Sequence, residues 1–178
     1  MLISVEKSQN IPDFLSLKEL HVSLKLITMK RSSIAIWKGT GKDGRGFVSS
    51  TSGALKETPY SFFTRFVNED GKAGTNPEEL IAAAHAACFN MALSFQIDRA
   101  GFTATELSTQ ATVTVEKIND HFQITGSHLD LTGIVSSITS EKFIELAETA
   151  KKGCPVSMAL ASIPITISIK LEGEKNEM

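Results

Sequence analysis

The sequence predicts an α+β fold, and three observations carry it. Segments of strand character come in runs, stretches with helical spacing stand between them, and no strand–helix–strand unit repeats along the chain. At 178 residues the chain has the length of one domain with a full core.

Residues 1–29 read as an addition to a main domain spanning 30–178. Within the addition, "SLKELHVSLKLI" is weakly amphipathic and fits a short surface helix, and "MKRSSIAIW" at Met29 reads like a start of its own. The domain then opens on strands. "SSIAIWKG" alternates and stops at a glycine, "GTGKDGRG" is a turn cluster, and "FVSSTSGALK" and "YSFFTRFV" follow as short strands before the loop "NEDGKAGTNP". A helix starts at Asn76-Pro77. Asn76 or Thr75 can cap it, proline fits its first turn, and Glu78 and Glu79 suit the positive end of its dipole. It runs to about Arg99 and stops at Gly101.

"ELSTQATVTVEKI" and "FQITGSHLDLTGIV" are two more alternating strands of about ten residues each. "SEKFIELAETAKKG" is an amphipathic helix beginning at Ser140, "CPVSMALA" adds one or two turns, and "IPITISIKL" is a last strand ahead of a polar tail, 172–178.

Composition narrows the function. A net charge of −2 and no Lys/Arg block argue against a nucleic-acid partner. No apolar run is read as reaching the ~18 residues of a membrane span. The first residues lack a basic start followed by an apolar block, so the expected compartment is the reducing cytoplasm. "GKDGRG" has no helix behind it and is no phosphate loop, so no nucleotide, flavin or other cofactor is expected.

Two cysteines carry the chemistry. Cys88 lies inside an alanine-rich helix, a setting that raises a thiol's pKa and equally suits a small core hydrophobe. Cys154, in "KKGCPVS", falls between a helix-ending glycine and a helix-opening proline, where amide N–H groups and the upstream lysines favour a thiolate; a plain helix cap is the rival reading. On local sequence Cys154 is the more nucleophilic of the two. His85 shares a helix face with Cys88 and, with Cys154, could supply three zinc ligands, although no fourth is visible and a hydrogen-bonded core histidine fits as well. Of the four arginines, Arg65 sits among aromatics in "FFTRFV" and needs an anionic partner, whereas Arg45 reads as solvated and Arg99 as matching the helix dipole. Glu78 precedes Cys88 by ten residues, roughly 15 Å along an unbroken helix. If both serve one site, the helix starts later than its caps suggest or two chains share the site.

"GTNPEELIAAAHAACFNMALS" and "GCPVS", in that order and separation, resemble the OsmC branch of the osmotically inducible and organic hydroperoxide resistance protein family, over about residues 30 to 171. The resemblance implies curved antiparallel sheets packed on long central helices in an intertwined homodimer with shared active sites. It implies a thiol-dependent peroxidase, active under oxidative or osmotic stress, that reduces organic hydroperoxides to alcohols and is regenerated by a dithiol reductant such as a lipoylated protein, with no metal. Cys88 matches the family's peroxidatic cysteine, Cys154 the resolving one that closes a Cys88–Cys154 disulfide, Glu78 the carboxylate that pairs with a catalytic arginine, and Arg65 that arginine. In the sister branch the arginine comes from the earlier glycine-rich turn, where this chain has Lys42 with Arg45 nearby, so Arg45 stands as the alternative. A pocket of Phe62, Phe63, Phe66, Phe89 and Met91 would favour apolar peroxides. A non-enzymatic protein of the same fold that binds a small hydrophobe is the competing function.

Overall fold

The computed structural model describes residues 28–68 and 71–173. The amphipathic segment proposed near the N-terminus lies outside them. The elements run β1 (Ser33–Lys38), β2 (Arg45–Ser50), β3 (Thr58–Ser61), α1 (Phe62–Phe66), α2 (Pro77–Arg99), β4 (Ala104–Ile118), β5 (His121–Val135), α3 (Ser140–Gly153), α4 (Pro155–Ala159) and β6 (Ile165–Glu172). The α+β class stands as the sequence suggests, and so does the order of elements, except that Phe62–Phe66, read as strand, is a helix.

The strands form two three-stranded sheets, β1-β2-β3 and β4-β5-β6. The first is antiparallel throughout. In the second, β4 and β5 form one antiparallel hairpin of 15-residue strands, longer than the ten expected. β6 lies parallel to β5, a departure from wholly antiparallel sheets. A parallel neighbour needs a crossover connection, and α3 with α4 supplies it.

The core lies between the second sheet and the helices. Period-two alternation on β5 turns Leu129, Leu131 and Val135 inward against Phe89, Leu93 and Ile97 of α2 and Phe143, Leu146 and Ala147 of α3. Each fully buried Leu, Ile or Phe side chain contributes about 1.5–3 kcal/mol relative to exposure. Gly133 is required on β5, because a Cβ there would stand 2.3 Å from Cζ of Phe143.

Asn76 caps α2, its Oδ1 accepting the Glu79 N–H at 2.9 Å, and Gly101 at φ +83° ends it. The helix is pinned to the sheet by polar contacts as well. Asn90 donates to the Leu107 carbonyl at 3.0 Å and accepts from the Thr109 hydroxyl. One expectation fails here: Leu80 to Ile97 carry no charge, so by length and composition α2 is long and apolar enough to cross a membrane. In the fold it is the core helix, yet only 22% of its most apolar stretch is buried, and Met91 and Phe95 remain exposed.

The first sheet is also incompletely covered. Ile34, Ile36, Trp37 and Phe47 are exposed, as is every residue of β1. The helix α1 that follows it meets the second sheet, where Phe66 stacks on Phe122 at the tip of the β4–β5 hairpin, ring centroids 4.3 Å apart.

Candidate active site

Arg65 does not lie on a strand. "SFFTRF" was expected to extend β3, since aromatic residues favour strands. A capping box turns it into α1 instead: the Ser61 hydroxyl accepts the Thr64 N–H at 3.1 Å while the Thr64 hydroxyl accepts the Ser61 N–H at 2.8 Å. Thr64 also donates to the Thr75 carbonyl, and the Thr75 N–H donates to the Pro59 carbonyl, so α1 is fastened beside the start of α2.

That fastening brings Arg65 onto Glu78. Arg65 Nε donates to Glu78 Oε2 at 3.1 Å and Nη2 to Oε1 at 2.6 Å, a two-point fork on a carboxylate with a side chain only 9% exposed. The guanidinium also lies over the Phe66 ring, 4.8 Å from its centroid. The structure therefore pairs Glu78 with Arg65. Arg45 is the first residue of β2, opposite Ser61, and lines a separate surface depression with Phe47 and Phe63.

The cysteines meet at the middle of α2, where Cys88 sits halfway along its 23 residues. Cys154 is completely buried at the junction of α3 and α4, with no side-chain cap bond of its own, while Cys88 is half-buried. The Cys154 side chain and the Val156 backbone N–H both lie beside the Cys88 sulfur. Burial pushes the Cys88 pKa up. The Val156 N–H opposes this, and Cys154 adds to it. Lys151, one of the two lysines expected to assist Cys154, is engaged with Glu148 at 2.8 Å.

An apolar cleft of about 360 Å³ opens from Cys88 and is lined by Met91, Ala92, Phe95, Ala150 and Pro155, with Gln96 and Arg99 at its far side. Met91 was expected there. Phe89 instead faces the core, and Phe62 and Phe66 belong to the Arg65 end. Phe95 was missed, although it lies seven residues, two helical turns, after Cys88 on the same face.

His85 is not a metal ligand in this arrangement. Its ring is fully buried, with Nδ1 2.8 Å from the Ser127 hydroxyl and Nε2 2.8 Å from the Ser157 hydroxyl. Among the described residues no group of three His, Cys, Asp or Glu side chains converges.

The unbroken α2 thus separates the two clusters: Glu78 stands ten residues before Cys88, roughly 15 Å along the axis. An α+β protein with two cysteines brought together at the middle of its central helix and a forked arginine–carboxylate pair at the helix start defines a class of thiol-dependent redox proteins. Residues 69–170 match the family model described as OsmC-like protein. The chain belongs to that family. It is 44% identical over 146 residues to Peroxiredoxin OsmC of Escherichia coli (strain K12), covering 82% of this chain and 99% of that protein. It is 29% identical over 137 residues to Organic hydroperoxide resistance protein OhrB of Bacillus subtilis (strain 168), covering 76% of this chain and 94% of that protein. Among solved structures, an organic hydroperoxide resistance protein from Elizabethkingia anophelis superposes with a TM-score of 0.60 at 26% identity, over 84% of this chain and 100% of that one.

Proposed function

We propose that the chain is a two-cysteine peroxidase that reduces organic hydroperoxides to alcohols. The observation that carries this reading is the contact between Cys88 and Cys154, two free thiols brought together from distant motifs at the mouth of an apolar cleft. The Cys88 thiolate attacks the distal peroxide oxygen, the O–O bond breaks, and the alkoxide leaves as alcohol after taking a proton. Cys88 is left as a sulfenic acid. Cys154 attacks its sulfur, a disulfide forms and water departs. An external dithiol, a lipoylated protein being one candidate, returns both thiols by exchange.

Burial raises the Cys88 pKa, so its thiolate needs a cation. Among the described residues of its own chain, Arg65 is anchored on Glu78 at the start of α2, and Arg99 lines only the far side of the cleft. We therefore infer a homodimer in which the Arg65–Glu78 pair of one copy completes the Cys88–Cys154 pair of the other. The exposed apolar side chains of α2 and the first sheet support this, since both are surfaces of the kind that a second copy covers.

Single-turnover reduction of an alkyl hydroperoxide by wild type, Cys88→Ser and Cys154→Ser tests the chemistry, with a reagent that traps sulfenic acid. Cys88→Ser should be inactive, and Cys154→Ser should accumulate the trapped adduct on Cys88. Adducts on Cys154 would reverse the roles. The cleft also suits a protein that only carries a small hydrophobe; a stoichiometric extracted ligand with no peroxide turnover would favour that function instead.

A further inference from the structure

His85 is a costly residue to bury unless it does something with its polarity. It is completely enclosed, yet both ring nitrogens are satisfied, by hydroxyls from two different elements: Ser127 on β5 and Ser157 on α4. Both serines are themselves buried. A neutral imidazole offers one N–H and one acceptor nitrogen, and hydroxyls rotate to serve either.

The spacing gives this network a purpose. His85 lies three residues before Cys88 on α2, and Ser157 lies three residues after Cys154 on α4, so each is about one helical turn from its cysteine on the same face. The His85–Ser157 bond therefore runs alongside the Cys88–Cys154 contact, with the two segments passing in opposite directions. Ser127 ties the same ring to the sheet.

We propose that His85 is a positioning residue for disulfide formation, its ring clamping the Cys154-bearing helix α4 in register with Cys88 through Ser157 and referencing both to the sheet through Ser127. Disulfide formation is demanding in geometry, since sulfur must approach sulfur with a narrow range of Cα separations and dihedral angles. α4 has only five residues and no side-chain cap bond at its start, so little within the helix itself fixes its register. A directional hydrogen bond between buried groups does so where apolar contact alone would allow sliding. The step that depends on it is the attack of Cys154 sulfur on the Cys88 sulfenic acid. The S–S bond forms, the S–O bond breaks, and hydroxide leaves with the thiol proton as water.

This assignment rests on the two-cysteine reading, but part of its test is independent of peroxide. The equilibrium of the dithiol with oxidised glutathione, giving the internal disulfide and two reduced glutathiones, reports the effective concentration of one cysteine at the other. It would be measured for wild type, Ser157→Ala, Ser157→Thr and His85→Gln. We expect Ser157→Ala and His85→Gln to lower that constant at least about tenfold, because small losses of alignment are strongly amplified in such steps. Ser157→Thr keeps the hydroxyl and should restore it to near wild type. In single turnover with an alkyl hydroperoxide, Ser157→Ala should form the Cys88 sulfenic acid at the wild-type rate, close the disulfide more slowly, and accumulate Cys88 sulfinate at excess peroxide.

An unchanged glutathione constant in Ser157→Ala and His85→Gln would overturn the proposal, as would equal losses in Ser157→Thr and Ser157→Ala. A normal constant in wild type that falls in these variants, with no peroxide turnover in any of them, would remove the peroxidase reading and leave the clamp standing.

Discussion

The start and the middle of α2 are built on opposite principles. At its start the polar groups are charged, partly exposed and held by forks and rings: Asn76 caps the helix, Arg65 grips Glu78 at two points, and Phe66 lies beneath the guanidinium and against Phe122. Further along, at mid-helix, fully buried His85 sits between two serines, and buried Cys154 lies against half-buried Cys88. The start holds a fixed positive charge without a nucleophile. The middle holds a thiol in surroundings that oppose its ionisation. Within one chain the unbroken helix sets the two clusters roughly 15 Å apart along its axis.

The sharpest way to break this contrast is to remove the charge. Arg65→Met should lower the rate of Cys88 oxidation by a hydroperoxide about 10²–10³-fold, the usual loss when a preorganised charge partner is removed from a reaction centre. Arg65→Lys should recover little, because an ammonium cannot reproduce the fork on Glu78. The loss has a pH signature. The thiolate is the nucleophile, and burial raises the Cys88 pKa, so the Arg65→Met deficit should shrink as pH rises and the thiol ionises unaided. Mixed dimers of Arg65→Met with Cys88→Ser chains should regain activity absent from either alone. Absence of complementation in chains shown to exchange would place both clusters in the service of their own subunit.

A second effect isolates the neutral middle. Burial holds the His85 pKa below its ordinary value, and its partners are hydroxyls rather than carboxylates, so no countercharge offsets that. The unfolded chain therefore binds a proton near pH 6.5 that the folded chain refuses. Stability is fully present above that pH and falls on acidification until the folded pKa is reached, by up to about 1.4 kcal/mol per pH unit. Urea denaturation from pH 7.5 to 5 should show this slope in wild type and less of it in His85→Gln. Equal slopes would mean that His85 does not titrate in this range.

Much of the charged end was legible because its signals are local. Asn76, Pro77 and the two glutamates announce the helix start within four residues, and Gly101 its end. The error there was local too. The aromatic run of "YSFFTRFV" reads as strand, whereas the Ser61–Thr64 capping box makes it α1. The neutral middle is different. The contact between the cysteines came only from the resemblance of two motifs, and the partners of His85 lie 42 and 72 residues away in sequence. Nothing in a local pattern selects Ser127 and Ser157 from the other serines. The parallel placement of β6 has the same origin: alternation identifies a strand and its inner face, while its neighbour and direction are set by how α3 and α4 cross the sheet.

The smallest effect asks whether the start and the middle of α2 are mechanically independent. Asn76→Ala removes the side-chain acceptor of the Glu79 N–H and should destabilise the protein by about 1 kcal/mol, read as a lower denaturation midpoint at unchanged slope. The loosened first turn carries Glu78, so Arg65 loses part of its fixed seat and peroxide reduction should slow modestly. Asn90 and His85 pin α2 to the second sheet beyond that turn, through β4 and β5. Fraying at Asn76 should stop short of them, and the glutathione constant of the Cys88–Cys154 pair should stay at its wild-type value. A shift in that constant would mean that the helix transmits strain from its first turn to Cys88, making the two clusters one device rather than two half-sites joined by a spacer.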